Sequence, residues 1–590
     1  MVRRWVWRAG TLEPPRTLVD AVAELGLSPP ALVARLLEAR GVGHPAEAAA
    51  FLRPTLATGL RSPSLLRDMN RAVRRLADAL AAGERIAVYG DSDVDGMAGA
   101  AALVLCLREL GADPLLHVVD RAGEGYGLHV EVLRRLHAAG VRVVVTADCG
   151  TADEAALRAA ADLGVDVVVC DHHQTPAVRP PAFALLNPGQ PGCDFPFKGL
   201  AGSGVVFYLL IGLRAELRAR GQARLPDLRR YLDLVALGTV ADVVPLREEN
   251  RVLVAHGLRA LERTSRPGLV ALKQAALVES ASVRAVGFRL APRLNAGGRL
   301  ADGGQAVELL TTADDARAHT LAAALEVRNA ERRALEEAMV AEAIAAADAR
   351  PAGSAWTTVV AREGWHSGVV GIVAGRLADR YHGPALAIAL EDGCGRGSGR
   401  SVNGMPLHAA LADCADLLDQ FGGHPQAVGF TVRRERVGEL AARFEAAVRR
   451  RASATDLEPI LPIDAEISLA TITPELAATL AALEPYGPGN PEPTLLARGV
   501  DVEGVRLVGD PAQSHLKLRL RQDGRTVSAI GFRLGHLPVR RGDRLDLVCT
   551  PRLARWQGIE RLELEVSAVR GTRGSEVTQA PENTAKLQVS

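Results

Sequence analysis

The sequence predicts an α/β protein: a parallel sheet with helices on its faces, one long helix leading to a second α/β region, and a small β-barrel at the end. Three observations predict this. Apolar strand-like runs alternate with Ala- and Leu-rich helical runs between Arg85 and Cys170. The stretch Thr311 to Arg350 contains neither Pro nor Gly. From Ile460 to Arg570, short alternating runs are divided by Gly and Pro. Alternating βαβα units imply parallel strands with right-handed crossovers, and ligands of such sheets bind beyond the carboxyl ends of the strands.

Residues up to about Thr58 read as a polar and Ala-rich helical lead-in. Arg85 to Tyr89 is a β-rich run, Gly90-Asp91-Ser92-Asp93-Val94-Asp95-Gly96 follows it, and Met97 to Leu110 is helical. Val141 to Thr146 is a second strand ending at Ala147-Asp148-Cys149-Gly150. Thr151 to Leu163 reads as a helix opened by a Thr cap, and Val165 to Cys170 as a third strand ending at Asp171-His172-His173. After the helical pattern Leu228 to Leu237, Ala241-Asp242-Val243-Val244-Pro245 suits a turn that returns a side chain to the same rim.

Four acidic or imidazole-bearing segments therefore fall at one end of the sheet. Carboxylates gathered there repel by roughly 4 kcal/mol per pair at 4 Å in an effective dielectric near 20, so compensating positive charge is required. Hard oxygen donors with one or two imidazoles favour Mn²⁺ or Mg²⁺ over Zn²⁺. A carboxylate such as Asp148 suits the bridge of a two-metal site, with ions about 3.5–4 Å apart, of the kind that hydrolyses phosphoesters. Singly, Asp148 or Asp242 reads as a helix cap and His172-His173 as polar loop residues. The Asp-x-Asp-x-Asp-Gly run resembles a calcium loop, but Ala101, Ala102 and Leu103 stand where its closing glutamate belongs.

The second α/β region opens with the strand Trp356 to Ala361; Gly364 to Ser367 leads into a helix, Gly368 to Arg380, whose first amides suit a phosphate. Gly393 to Gly404 carries Arg396, Ser398 and Arg400 and, read alone, is a glycine-rich hairpin. Farther on, the strands His515–Leu520, Val527–Phe532, Arg544–Cys549 and Arg561–Val566 suggest a small barrel. An OB-fold is the member of that class that binds single strands, and Trp556 with Arg540, Arg541 and Arg555 would supply stacking and phosphate contacts. A barrel that serves only as an interface is the alternative. The tail from Gly571 is polar and reads as disordered.

Composition is compatible with this architecture. The chain has 590 residues, 48% hydrophobic and 4% aromatic, enough for several domains. No segment approaches ~20 uninterrupted apolar residues, and Met1 to Trp5 lacks a signal-peptide core, so a soluble, cytoplasmic protein without membrane contact is expected. Seven cysteines without Cys-x-x-Cys spacing argue against a disulfide framework and a structural zinc, and are expected to be reduced. A net charge of +1 confines nucleic-acid contact to a local basic track. Arginine, which supplies all but Lys198, Lys273, Lys517 and Lys586 of the basic residues, suits phosphate forks.

With these residues in view, the sequence resembles the DHH phosphoesterases, and within them the bacterial single-strand-specific exonucleases, over nearly the whole chain. The resemblance is carried by the four segments above and by Glu124-Gly125-Tyr126-Gly127-Leu128, Arg293 to Leu300, Gly364 to Ile372, Gly397 to Ser401, Gly422-Gly423-His424 through Phe430, and Tyr486 to Pro493. It implies a helical lead-in (1–58), a DHH catalytic domain (59–310), a connecting helix (311–350), an α/β DHHA1 domain (351–455), an OB-fold (456–570) and a disordered tail (571–590). It implies a Mn²⁺- or Mg²⁺-dependent 5′→3′ exonuclease with two ions per site, degrading single-stranded DNA to mononucleotides in recombination and repair.

Carried over by position, the resemblance makes Asp91, Asp93, Asp95, Asp148, His172 and Asp242 the metal ligands, Asp148 the bridge, and His173 the group that touches the scissile phosphate. Arg121, Arg299, Ser398, Arg400 and His424 would hold substrate and the 5′-terminal phosphate. A single-strand-binding protein and a helicase are the implied partners of a monomer. Ser92 stands where the family usually has an aromatic residue, and Cys149 where it often has Asn; neither removes a ligand. A small-molecule phosphoesterase of the same superfamily would have no need of the barrel, and a non-catalytic replication scaffold would have lost ligands that are all present here.

Overall fold

The computed structural model describes residues 3–8, 13–120, 123–300, 303–349, 355–402, 404–510, 514–556 and 559–571. The chain forms two compact units, one from residues 56–453 and one from 1–55 with 454–585.

In the larger unit, five parallel strands stand in the order Leu115–Val118, Arg85–Gly90, Val141–Ala147, Asp166–Cys170, Ala184–Leu186. The pleat sends alternate residues to opposite faces. Ile86, Val88, Val143, Val145 and Val168 enter one core with the helices Val94–Glu109, Gly202–Ala219 and Leu232–Ala241, while Ala87, Tyr89, Val144, Val167 and Val169 enter another under Val130–Ala138 and Glu154–Asp162. A strand covered on both faces needs no polar alternation. Val143, Val144 and Val145 are each 0% exposed, which contributes about 1.5–3 kcal/mol apiece.

The long helix runs Asp315–Asp348, 34 residues, or about 51 Å at 1.5 Å per residue. Asp314 caps it by accepting from the Arg317 amide. Its first half buries Ala318, Leu321, Ala322 and Leu325 in the core that the first sheet shares with its helices. In its second half, Glu336 receives Arg332 and Arg376, Glu342 receives the Trp365 indole N–H, and Asp348 receives the Tyr381 hydroxyl. One face is thus committed along the whole length, as expected of a connecting strut. The second α/β region is a five-stranded sheet in the order Leu418–His424, Ala427–Arg433, Cys394–Arg400, Ala385–Glu391, Thr358–Glu363, with the helix Val370–Tyr381 packed on it.

In the smaller unit the strands Leu495–Val508, His515–Gln522, Arg525–Gly531, Ile559–Gly571 and Arg544–Trp556 pair in that order, and the first pairs again with the last, closing a barrel. The last two strands extend well past the Cys549 and Val566 limits read from sequence and form one long antiparallel ribbon. Leu495–Val508 is a strand that the sequence pattern does not announce. The N-terminal segment also differs from a lead-in to the parallel sheet. Arg4–Trp7 pairs with Ile460–Ile463, and Leu18, Val22, Val33, Leu36 and Leu37 share one core with barrel residues. Buried Arg40 donates to Asn490 Oδ1 at 2.8 Å and lies 3.4 Å from Asp464 Oδ1, fixing the Tyr486-to-Pro493 segment to the N-terminal helices. Gly571 closes a strand, and the remainder of the tail, 572–590, lies outside the described residues.

Candidate metal centre

Three of the acidic segments begin one residue beyond a parallel strand, and the first amide of each still donates to the end of the next strand. Asp91 N–H bonds Ala147 O at 3.0 Å, Asp148 N–H bonds Cys170 O at 2.9 Å, and Asp171 N–H bonds Leu186 O at 3.0 Å. The sheet register therefore sets Asp91, Asp148 and Asp171 side by side. Asp148 has φ 67°, a left-handed conformation costly for a residue other than Gly or Asn. It is over-determined by the Thr146 hydroxyl, which donates to Cys149 O at 2.6 Å. Asp242 caps the carboxyl end of Leu232–Ala241 and reaches the same rim.

The structure brings together all six sequence-expected ligands. Ligand atoms of Asp91, Asp93 and Asp148 lie within 4.8 Å of one another, as do those of Asp95, His172 and Asp242, and those of Asp148, His172 and His173. His172 Nε2 lies 3.2 Å from Asp148 Oδ1 and 3.3 Å from Asp242 Oδ2. Asp93 Oδ1 accepts the Asp95 and Gly96 amides, so this carboxylate also caps the helix Val94–Glu109. Asp95 accepts the Gly202 amide at 2.6 Å and the Ser203 amide at 3.1 Å, the first N–H groups of an 18-residue helix, where a negative charge is favoured.

Two glycines make this approach possible. A Cβ on Gly202 would stand 2.6 Å from Asp148 Oδ1, and one on Gly238 would stand 2.5 Å from Asp95 Oδ1.

The electrostatics call for a cation. Burial, and then the charges of Asp95, Asp93, Asp242 and Asp171, push the Asp148 carboxyl well above the usual carboxylate range. Burial and then Asp95 and Asp93 do likewise to Asp242, and burial lifts Asp95 to about 6 against its hydrogen bonds from the Ser203 and Gly202 amides. Asp148 Oδ1 and Asp242 Oδ2 are buried without a hydrogen-bond donor among the described residues. Oxygen-rich, converging and short of donors, the set fits a hard divalent cation.

Asp171 is a buried rim residue to which the sequence reading assigns no role. Its Oδ1 accepts His173 Nδ1 at 2.7 Å together with the His172 and His173 amides, and its Oδ2 accepts the Thr151 amide at 2.9 Å. Burial opposes ionisation of Asp171, but the charge and hydrogen bond of His173 outweigh it and hold the carboxyl well below its usual range. Burial likewise disfavours the His173 cation, yet Asp171 lifts that imidazole to about 10. His173 is thus held by Asp171, with 36% of its side chain exposed. The Thr cap expected at Thr151 is absent: the helix starts at Glu154, and the Thr151 amide and hydroxyl instead bond Asp171 and Asn187.

Of the expected phosphate grip, Ser398 and Arg400 converge on the first turn of Val370–Tyr381. A Cβ on Gly371 would lie 3.4 Å from Ser398 Oγ and 3.1 Å from Arg400 Nη2. Arg400 is 5% exposed; burial lowers its guanidinium to about 10, against a raising influence from Tyr126. Tyr126 therefore belongs to this neighbourhood, 62% exposed, on a loop that the positive-φ residues Gly125 and Gly127 shape. Its sequence signal is the segment Glu124 to Leu128, one of those that carry the family resemblance. Arg299 donates to Gly368 O at 3.0 Å, joining the catalytic half to the loop before that helix. Arg121 and the His424 side chain lie outside the described residues. In the barrel, Arg540 and Arg541 are exposed in the turn before Arg544, and the side chains of Arg555 and Trp556 lie outside the described residues.

Three family models match the chain: DHH family, N-terminal domain, over 85–239; DHHA1 domain over 353–450; and RecJ OB domain over 463–568. The single-stranded-DNA-specific exonuclease RecJ of Dickeya dadantii is 40% identical over 526 residues, 85% of this chain and 89% of that protein. Crystal structures of RecJ from Thermus thermophilus superpose on the chain. The complex with Mn²⁺ gives a TM-score of 0.81 at 32% identity, over 96% of this chain and 79% of the other. The complex with Mg²⁺ gives 0.75 at 30%, over 98% and 79%.

Proposed function

The chain belongs to the RecJ family of single-stranded-DNA-specific exonucleases, and from that premise we propose that it removes mononucleotides from the 5′ end of single-stranded DNA, using two Mn²⁺ or Mg²⁺ ions. The observation that carries this reading is a run of linked ligand clusters: Asp91, Asp93 and Asp148 join Asp148, His172 and His173 through Asp148, and these join Asp95, His172 and Asp242 through His172. Asp91 and Asp93 with Asp148 would hold one ion, and Asp95, His172 and Asp242 with Asp148 the other. When bound, such a pair activates water and neutralises charge on the attacking and leaving oxygens.

The chain's own residues do the rest. Asp171 holds and aims the His173 ring, which would then contact a non-bridging oxygen of the scissile phosphate. The Gly202 and Ser203 amides hold Asp95 in one orientation. Ser398, Arg400 and the first amides of Val370–Tyr381 suit a 5′-terminal phosphate dianion, with Arg121, Arg299 and His424 as the further residues of the grip; an end seated there would present the first phosphodiester to the metals and so give 5′→3′ polarity. The barrel, with Arg540, Arg541, Arg555 and Trp556, would follow the strand downstream.

We divide the chain at about residues 59, 311, 351 and 456, and assign it to DNA repair as a cytoplasmic monomer that works on strands opened by a helicase and covered by a single-strand-binding protein. Among the described residues no helix is long and apolar enough to cross a membrane. End-labelled single strands, blunt duplexes, a dinucleotide and pyrophosphate, each with Mn²⁺, Mg²⁺ or chelator, test the activity. Mononucleotides released from a 5′ label at the first turnover are expected. Release from the 3′ label first, or preference for pyrophosphate, would refute it.

A further inference from the structure

Val243 follows Asp242 directly and has φ 62°. A β-branched side chain is poorly accommodated in that left-handed region; the residue after a helix that adopts it is ordinarily Gly or Asn. Some contact must hold it there. Two residues on, Pro245 O accepts the side-chain amide of Asn250 at 3.0 Å, and the same amide donates to Gly199 O at 2.6 Å. Asn250 is fully buried. Gly199 lies against Pro245, with a Cβ on it 3.6 Å from Pro245 Cδ. Three and four residues after Gly199, the amides of Gly202 and Ser203 hold Asp95. One amide group therefore ties together the loop after Asp242 and the turn before the Asp95-binding helix.

We propose that Asn250 is a positioning residue for the metal rim: its clamp on Pro245 and Gly199 keeps Val243 left-handed, and so aims the Asp242 carboxylate at the ion that Asp95 and His172 face. The inference rests on reading Asp242 as a metal ligand. Its own content is that Asn250, which offers the ion nothing directly, sets how well the ion binds. Without the clamp, Val243 relaxes toward an ordinary extended or helical conformation and Asp242 turns off the rim. Glycine at 243 would occupy the left-handed region unaided.

The test is Mn²⁺ binding by the full chain, measured by calorimetry and by paramagnetic resonance of the free ion, for wild type, Asn250→Ala, Val243→Gly and the double variant. Loss of this clamp should weaken the affected Mn²⁺ site about tenfold, the cost of a typical buried hydrogen bond. Val243→Gly in the Asn250→Ala background should restore most of that affinity, a rescue that a merely packing role for Asn250 does not produce. Equal affinity in Asn250→Ala and wild type, or the same loss in the single and double variants, overturns the inference. If Asn250→Ala fails to fold, recovery of folded, Mn²⁺-binding protein in the double variant supports the clamp, and failure of both overturns it. Wild type that binds no Mn²⁺ would instead remove the metal-centre reading beneath it.

Discussion

Replacing Asp148 by Asn should abolish hydrolysis and, in the metal-free enzyme, raise stability. Asn keeps the shape and tolerates φ 67°, so the substitution changes charge and little else. Ligand atoms of Asp91, Asp93 and Asp148 lie within 4.8 Å, where two full charges repel by about 3.5 kcal/mol or more at an effective dielectric near 20. Proton uptake caps the penalty. Holding a carboxyl of ordinary value ~3.9 protonated at about pH 7.5 costs roughly 1.36 kcal/mol per unit, or about 5 kcal/mol. Asp148 is pushed upward in the fold, so the unfolded chain releases its proton first, and stability falls as pH rises from about 4 toward the raised value. The Asn variant loses that slope, and its advantage in chelator grows by at most about 1.36 kcal/mol per pH unit.

With Mn²⁺ the order should invert. Wild type gains about 2.7 kcal/mol at a hundredfold excess over Kd, whereas the variant lacks the shared ligand and gains less. Asp148→Ala should be equally inactive but less stable than Asp148→Asn by about 1 kcal/mol, because Ala pays for the left-handed backbone. Melting curves from pH 5 to 8 in chelator and in Mn²⁺, with turnover on single-stranded DNA, measure both. An Asn variant that is less stable than wild type in chelator at pH 7.5, or that retains a tenth of wild-type turnover in saturating Mn²⁺, would refute the reasoning.

Three further outcomes are expected. Asp171→Asn should let the His173 imidazole fall from about 10 toward its ordinary value near 6.5, seen by NMR titration of the metal-free protein; an unchanged titration would show that Asp171 does not hold it. Arg400→Ala should shrink the preference for 5′-phosphorylated over 5′-hydroxyl ends, since a charge-assisted bond contributes about 1.5–3 kcal/mol; an equal preference in both proteins assigns Arg400 another task. Residues 56–453 expressed alone should fold, keep turnover on very short oligonucleotides and lose affinity for long strands with a shallower salt dependence, whereas 1–455 should aggregate because its N-terminal helices have lost their barrel core; equal losses on short and long strands would mean the barrel buttresses catalysis.

What is legible in the sequence is what the chain encodes locally. Apolar, Val-rich runs with acidic residues one step past their ends announce parallel strands and a rim, and Asp91, Asp148 and Asp171 stand where that pattern places them. The Asp171 contact is less legible, because a carboxylate two residues from the imidazole it orients looks like one more ligand. Leu495–Val508 escapes a sequence reading for a physical reason: Gly499 and Gly504 read as turns, whereas both sit at register shifts within one continuous strand. Gly202, Gly238, Arg40 and Asn250 act on partners from about 50 to 450 residues distant. No local periodicity reports such contacts.

The same distinction separates fold from function at the rim. The Val-rich strands and the committed face of the long helix are each locally favourable, and together they supply a scaffold rigid enough to hold what is not. At the rim several local preferences are overridden: a left-handed Asp148, a left-handed Val243, the carboxyls of Asp95, Asp148 and Asp242 with raised proton affinity, and glycines where a Cβ would collide with a ligand. Each feature costs stability in the metal-free protein, and each brings an oxygen closer to a common centre. Strain and charge concentrated on one rim of an otherwise well-satisfied sheet are what a site built for a divalent cation requires, since binding energy returned by the ion offsets both. The rim should therefore be the first part of the catalytic half to open when chelator is added, and amide exchange there, at Asp148 and Val243, should slow most when Mn²⁺ is restored. Uniform slowing across the sheet would mean that the strain is spread through the fold and that the rim is no weaker than its scaffold.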